Sequence, residues 1–430
     1  MKVNIITLGC SKNTVDSENL AGALSAGGAE VFFDRRRNDC DVVIINTCGF
    51  IGDAKEESVN TILQQVGVKQ RGRKKRILVA VGCLVERYKA ELRKELPDVD
   101  AWFGVHEWKE IAEFVGGQAS AVVQASRIQS TPNHYAYLKI SEGCNRSCSY
   151  CAIPLIRGRH ISRPMDDIVA EAKRLVQSGA KELLVIAQDT TFYGLDLYGE
   201  RRLAQLLERL ATESGADWIR LHYTYPASFP VDVLDVMARH DNICKYLDIP
   251  LQHINSSILA SMQRNIDREA TLRLLETIRQ RMPDITLRTT LIVGYPGETE
   301  EMFQELKRFV AEARFDRLGA FCYSQEEGTP AQKLGDPLAD EEKQRRLAEI
   351  MEVQDAISYE KNQALVGRTA KVLVDRLEGE YYIGRTQADS PEVDDEVIIS
   401  AGKKKTPRTG EFCKVRITQA FEHDVMATLV

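Results

Sequence analysis

Apolar and polar positions alternate along the chain in three successive patterns. In the first, short apolar runs at Val3–Leu8, Val42–Asn46 and Ile77–Val81 alternate with amphipathic stretches at Asp16–Ala26, Ala54–Val66 and Glu86–Leu96. Short, uniformly apolar runs suit strands buried on both faces, and the 3.6-residue periodicity between them suits covering helices. This predicts an α/β, doubly wound parallel-sheet domain over residues 1–117. The less regular stretch Gly116–Asn133 ends in Ser130-Thr131-Pro132-Asn133 and reads as a linker. The second pattern places strands at Tyr137–Ser141, Glu182–Ala187, Trp218–His222, Tyr246–Ile249, Thr286–Val293 and Leu318–Tyr323. Helical patterns such as Asp166–Ser178, Leu203–Thr212 and Glu300–Ala313 separate them, which predicts an open β/α barrel of partial TIM type over 130–364. A charged helix, Asp340–Ala364, leads out of it. The third pattern is one of short alternating strands at Ala370–Asp375, Tyr381–Arg385, Glu396–Ile399, Glu411–Thr418 and Asp424–Val430. It predicts a small antiparallel β-barrel, OB-like, over 365–430.

Composition changes this picture little. The 430 residues are 43% hydrophobic and 28% charged, ordinary for a globular protein. No window has the ~18 consecutive apolar residues of a membrane span. The N-terminal MKVNIITLGC reads as a strand rather than a signal peptide, so no membrane role and a cytoplasmic location are expected. A net charge of −6 argues against extensive contact with nucleic acid backbone.

The ten cysteines change it more. In a reducing compartment metal binding or catalysis outranks disulfides. Cys144, Cys148 and Cys151 lie in EGCNRSCSYCAIP, a C-x3-C-x2-C spacing directly after the first strand of the expected barrel. Three thiolates on one loop can hold three irons of a [4Fe–4S] cluster and leave the fourth iron open to chelate S-adenosylmethionine (SAM). A zinc site would usually want a fourth ligand, and none lies at regular spacing. Tyr150, just before the third cysteine, is suited to flank an adenine.

This loop, together with the downstream RTTLIVGYPGET, resembles the radical SAM superfamily and specifically its methylthiotransferases. The other cysteines extend the resemblance. Cys10, Cys48 and Cys83 each lie just past the carboxyl end of a predicted parallel strand, where a doubly wound sheet forms its ligand crevice. Gly9, Gly49 and Gly82 flank them and allow close backbone approach. Buried structural cysteines are the alternative for each taken singly. Methylthiotransferases carry three cysteines around an auxiliary [4Fe–4S] cluster in an N-terminal domain, then a radical SAM core, then a TRAM barrel. The resemblance therefore implies two [4Fe–4S] clusters, SAM, and an electron donor such as flavodoxin or ferredoxin. It also implies that SAM is used twice: once to methylate a sulfur held at the auxiliary cluster, once to remove hydrogen from an unactivated carbon. No acid–base residue is required, and none is nominated. Cys40, Cys244, Cys322 and Cys413 have no partner spacing and read as core or incidental.

Six further features complete the expected site. Gln188 and Asp189 follow the strand ELLVIA at the active-site face, although Asp189 and the next residue, Thr190, could equally serve as a cap. Arg288 and Thr290 are placed near the carboxyl end of their strand, and Gly294 in a turn whose backbone could meet SAM. The stretch AQDTTFYGLDLYG resembles the family branch that acts on a ribosomal protein. From Ala364 onward ten Lys and Arg oppose eleven Asp and Glu, a poor RNA binder but a suitable dock for a basic protein. The expected substrate is therefore the β-carbon of an aspartate in small-subunit ribosomal protein twelve. A tRNA adenosine is the less favoured reading, and an iron–sulfur electron carrier the alternative from another class. Glu392, Asp394, Asp395 and Glu396 are the expected contacts to the basic partner, with Lys403–Lys405 and Arg408 in a loop of lesser weight. Truncation near Leu365 is expected to leave both cluster sites intact, since every proposed ligand lies upstream.

Overall fold

The computed structural model describes residues 1–37, 39–72, 75–116, 127–400 and 406–430. Lys403–Lys405 and most of the expected linker lie outside the described residues.

The first sheet contains β1 (Lys2–Thr7), β2 (Glu30–Phe33), β3 (Val42–Thr47), β4 (Ile77–Gly82) and β5 (Ala101–Phe103), all parallel in the order β2-β1-β3-β4-β5. This is a doubly wound order with its switch point between β1 and β3. β3 is buried along its whole length, as its unbroken VVIINT run requires. The sheet packs a core on each face, Val3, Ile5, Leu20 and Leu24 on one, Val43, Ile45, Ile62 and Leu78 on the other. The edge strands β2 and β5 were not legible, because four and three residues are too short to carry a pattern.

The helix Ser11–Ala26 begins five residues before the apolar pattern does. Its first turns bury Lys12, Asn13, Asp16 and Glu18. A buried polar face needs charged partners, and the second unit supplies them. Asp16 is paired with Lys139 and, at 2.6 Å, with Arg157, while Glu18 accepts from Arg127 at 2.6 Å.

The second unit is a six-stranded parallel sheet. Its strands are β6 (Tyr135–Lys139), β9 (Glu182–Ile186), β10 (Trp218–Leu221), β11 (Ile243–Asp248), β12 (Thr286–Val293) and β13 (Arg317–Cys322), paired in sequence order. A short antiparallel pair, β7 (Ser141–Glu142) and β8 (Ile161–Ser162), brackets the 144–151 loop. Helices pack their apolar faces on one side of the sheet in the largest core of the protein, which includes Leu138, Val185, Leu221, Leu247, Leu287, Phe303 and Phe315.

The third unit is a closed barrel of β14 (Thr369–Glu378), β15 (Tyr381–Arg385), β16 (Glu396–Ser400), β17 (Phe412–Ala420) and β18 (Asp424–Leu429). Four of its pairings are antiparallel, and the β16–β18 pairing that closes it is parallel.

Residues 385–395 of this barrel press against the amino ends of the β6–β13 strands. Arg385 pairs with Glu182 at 2.7 Å, and Glu182 pairs with Arg220 at 2.7 Å, all fully buried or nearly so. Tyr135 and Tyr137 donate to Glu392 at 3.1 Å, Tyr246 donates to Asp394 at 2.7 Å, and Arg317 bonds Asp389 and Asp395. The acidic stretch expected to meet a basic partner is thus largely turned inward. Asp394 pairs with Arg288, Asp395 lies 3.3 Å from Arg317 with its carboxyl pushed up to about 7 by burial, and Glu396 pairs with Arg376.

His253, fully buried behind the carboxyl end of β11, uses Nδ1 to accept from Asn255 and leaves Nε2 without a partner. Burial, helped by nearby Arg346, pushes its pKa down to about 3. The unfolded chain takes up a proton near pH 6.5 that the native state refuses. Stability should therefore fall as pH drops from about 6.5 toward 3, by about 2 kcal/mol at pH 5. Urea midpoints at pH 7 and pH 5 check this, and His253→Gln should flatten the difference.

Candidate functional site

Two cysteine trios sit at the carboxyl edges of the two parallel sheets. Cys10 follows β1 and caps the helix Ser11–Ala26, Cys48 follows β3, and Cys83 opens the helix after β4. Because β1, β3 and β4 are neighbours, the three residues share one edge. Two glycines bring the backbone in. At Gly9, with φ of 87°, a Cβ would lie 2.7 Å from Cys48 Cβ. At Gly49 a Cβ would lie 2.7 Å from the amide nitrogen of Leu84, next to Cys83. Asn13 ties the edge together by donating to the carbonyls of Leu8, at 2.8 Å, and Thr47, at 3.1 Å.

Cys48 and Cys83 are buried, whereas Cys10 is exposed. Burial pushes the Cys83 thiol up to about 12 against the pull of Arg157, and Cys10 and Cys48 push it the same way. For Cys10, burial alone would raise the pKa, but Lys12 and Arg157 outweigh it and hold the thiol below its ordinary value. The donors thus belong to one electrostatic group with a cationic wall. Thiolate ligation by iron would displace their protons.

The second trio lies between β7 and the short helix Ile153–Arg157. The turn is tight: the Cys144 amide donates to Gly158 O at 3.1 Å and the Cys151 amide to Cys148 O at 3.1 Å. Burial pushes Cys144 up to about 11 and Cys151 up to about 12, with the neighbouring cysteines adding to both. Arg264 donates to Cys148 Sγ at 3.3 Å, and the Tyr225 hydroxyl lies 3.5 Å from the same sulfur. Among the described residues no three His, Cys, Asp or Glu side chains close tightly enough to hold a single metal ion. What marks each trio is a shared edge and mutual electrostatics.

Arg157 joins the two. It leaves the end of the second trio's loop, is almost fully buried, and donates to Cys83 Sγ at 3.2 Å and to Asn13.

The other expected site residues divide. Tyr150 packs beside the trio and receives a hydrogen bond from Arg264 at 3.4 Å. Gln188 donates to Glu142 at 2.7 Å, while its carbonyl oxygen is buried without a partner, an acceptor free for a ligand. Thr290 is half-buried at mid-strand, on the same face of β12 as Arg288. Three expectations need correction. Asp189 accepts from the amide and hydroxyl of Thr191 and from Arg146 at 2.6 Å, so its carboxylate is filled: it caps a turn and clamps the cluster loop. Arg288 lies in the first half of β12, not near its carboxyl end, and its guanidinium is bound to Asp248 at 3.1 Å and Asp394 at 3.2 Å. Gly294 donates its amide to Glu298 and is covered by the Lys343 stem, so its left-handed turn closes on the protein itself.

Arg264, Tyr225, Arg157, Lys12 and Tyr223 were missed. Arg157 could have been suspected from its place just after the CSYCAIP run. Arg264 and Tyr225 come from distant loops with no motif around them.

A parallel β/α sheet carrying a C-x3-C-x2-C loop at its carboxyl edge defines a radical SAM enzyme, here flanked by a doubly wound domain and a small barrel. The radical SAM superfamily model matches residues 138–310, the TRAM domain model 366–430, and the model of uncharacterized protein family UPF0004 residues 2–104. The chain is 52% identical to the ribosomal protein uS12 methylthiotransferase RimO of Phocaeicola vulgatus, across 100% of this chain and 99% of the relative. It is also 52% identical to RimO of Cytophaga hutchinsonii, across 100% and 98%. Among solved structures, the radical SAM methyltransferase TsrM from Kitasatospora setae, with cobalamin and a [4Fe–4S] cluster bound, shares the fold. Its TM-score is 0.56 at 15% identity, over 77% of this chain and 73% of that one. The chain belongs to the RimO family of radical SAM methylthiotransferases. Membership implies a [4Fe–4S] cluster and SAM. No helix among the described residues is long and apolar enough to cross a membrane.

Proposed function

We propose that this enzyme adds a methylthio group to the β-carbon of an aspartate in the basic ribosomal protein uS12. In this reading residues 1–117, 130–364 and 365–430 form an auxiliary-cluster domain, a radical SAM core and a TRAM barrel. Cys144, Cys148 and Cys151 hold the SAM-binding cluster, and Cys10, Cys48 and Cys83 a second one. Tyr150, Gln188 and Thr290 are the remaining candidates for SAM contact. The enzyme works in the cytoplasm with an electron donor such as flavodoxin or ferredoxin.

The observation that carries the two-cluster reading is Arg157, one buried guanidinium that leaves the 144–151 loop and touches Cys83 of the other trio. A transfer between two sites needs them held at a fixed separation, because misplacement of reacting groups by about 1 Å can cost a hundredfold in rate. Asp16, Arg157 and Lys139 supply that fixture. When bound, the cofactors supply the one-electron chemistry that an unactivated C–H bond demands and that side-chain bases cannot deliver. The chain itself binds and orients. Arg264 and Tyr225 fix Cys148, Asp189 fixes the loop through Arg146, and Tyr150 walls the site.

The test is mass spectrometry of ribosomal proteins and tRNA from cells lacking this enzyme. The expected result is uS12 without its methylthio group and tRNA unchanged. Loss of the group from tRNA instead would promote the tRNA reading. In the purified protein, Cys144→Ala, Cys148→Ala and Cys151→Ala together should halve the iron of about eight atoms per chain and abolish 5′-deoxyadenosine formation. Loss of all iron would refute two separate sites.

A further inference from the structure

Beside the first trio stands a buried cation that the cysteines do not themselves explain. Lys12, two residues after Cys10, is buried, and its ammonium stands 3.2 Å from the centroid of the Tyr223 ring. Tyr223 belongs to the radical SAM core, at the carboxyl end of β10, and its hydroxyl lies 3.4 Å from Ser11 Oγ. It is one of few non-glycine residues with a left-handed backbone, φ of 55°. Such a conformation persists only where the surroundings fix it.

Those surroundings lead to the third unit. The Tyr223 amide donates to Asp248 at 2.9 Å, Asp248 pairs with Arg288 at 3.1 Å, and Arg288 pairs with Asp394 at 3.2 Å. In parallel, His222 contacts Ser390 Oγ at 2.9 Å. Every member except Tyr223 and Arg288 is buried at the side chain, and each contact is direct.

We infer that Tyr223 is a positioning residue, set by Asp394 and Ser390 of the C-terminal barrel through Arg288, Asp248 and His222, that holds Lys12 beside Cys10. A cation held there stabilises an anionic sulfur bound at the auxiliary site and fixes where it sits. The barrel thus helps to shape a site in another unit of the chain. This rests on Cys10, Cys48 and Cys83 being cluster ligands, which the iron content of the unsubstituted protein tests separately: about four irons rather than eight would remove that reading and this inference together.

The experiment compares Lys12→Met, Tyr223→Ala, Tyr223→Phe, Asp394→Asn and Asp389→Asn in the reconstituted full chain. The readouts are the electron paramagnetic resonance signal of each reduced cluster and the ratio of methylthio product to 5′-deoxyadenosine. Loss of a residue that orients ligands from behind typically costs 10–100-fold. Lys12→Met and Tyr223→Ala should lower the product ratio by about tenfold or more. They should shift the auxiliary signal alone and leave the SAM-cluster signal and SAM cleavage unchanged. Tyr223→Phe, which keeps the ring under the ammonium, should restore most of the ratio. Asp394→Asn should shift the same signal in the same direction. Asp389→Asn, which loosens Arg317 but lies off this path, should not. An unmoved auxiliary signal in Lys12→Met and Tyr223→Ala overturns the inference, as does an equal shift from Asp389→Asn.

Discussion

Replacing Cys10, Cys48 and Cys83 with alanine should abolish the methylthio product while 5′-deoxyadenosine is still made. The two half-reactions separate because the trios occupy different sheets, joined by Arg157 and by the packing of Cys83 against Ala152 and Ile156. The variant removes Cys83 Sγ from Arg157, but Arg157 keeps Asp16 and Asn13 as partners, so no buried charge is stranded. The 144–151 loop keeps its own anchors at Gly158, Arg264 and Asp189. Alanine keeps the Cβ of Cys48 and adds no atom toward Gly9, whose missing Cβ is what lets the two approach. The measurement is simultaneous quantification of 5′-deoxyadenosine and modified uS12 with the purified variant, alongside iron content. Product at the unsubstituted rate would end the assignment of the first trio as the sulfur-holding site. Loss of SAM cleavage as well would mean that the trios act as one site.

What was legible in the sequence was whatever repeats a period or a spacing. β3 and β12 could be placed almost to the residue, since one opens on the apolar run VVII and the other closes on LIV before a Gly-Tyr-Pro-Gly turn. The cysteines could be sorted because a strand followed by Gly-Cys or Thr-Cys fixes which edge of a parallel sheet the thiol joins. What could not be read were contacts made by single residues across units. The helix Ser11–Ala26 hides its first turns because Lys12, Asp16 and Glu18 look solvent-facing until Arg127, Lys139 and Arg157 cover them. From the sequence, Asp189 and Arg288 look like cofactor contacts because each follows or lies within an active-site strand. Their partners, Arg146 and Asp394, are 43 and 106 residues away. The acidic stretch 392–396 misled for the same reason: net charge counts residues and not the direction in which they face.

That inward direction changes the expected outcome of removing the C-terminal barrel. Counting ligands alone, truncation at Leu365 would spare both cluster sites. The structure predicts instead that the core itself fails. Glu182 would keep Arg220 but lose Arg385, and Arg317 would lose Asp389 and Asp395, while Arg288 would lose Asp394. Breaking a buried pair by removing one partner costs about 3–5 kcal/mol, and a folded domain commonly has only about 5–15 kcal/mol to lose. Opening the amino ends of the strands admits water, which offsets part of that cost for the truncated chain. A point substitution offers no such relief. Arg385→Ala in the full chain keeps the barrel in place, excludes bulk water, and leaves Glu182 and Asp375 each short of a cation. Both variants should therefore melt well below the unsubstituted protein, and the truncated chain should lose iron from the 144–151 site as its supporting sheet loosens. Thermal unfolding and iron content of the two variants, measured side by side, check this. A truncated chain that melts with the parent and retains both clusters would mean that the barrel only docks partners and that its ion pairs with the core contribute nothing to the fold.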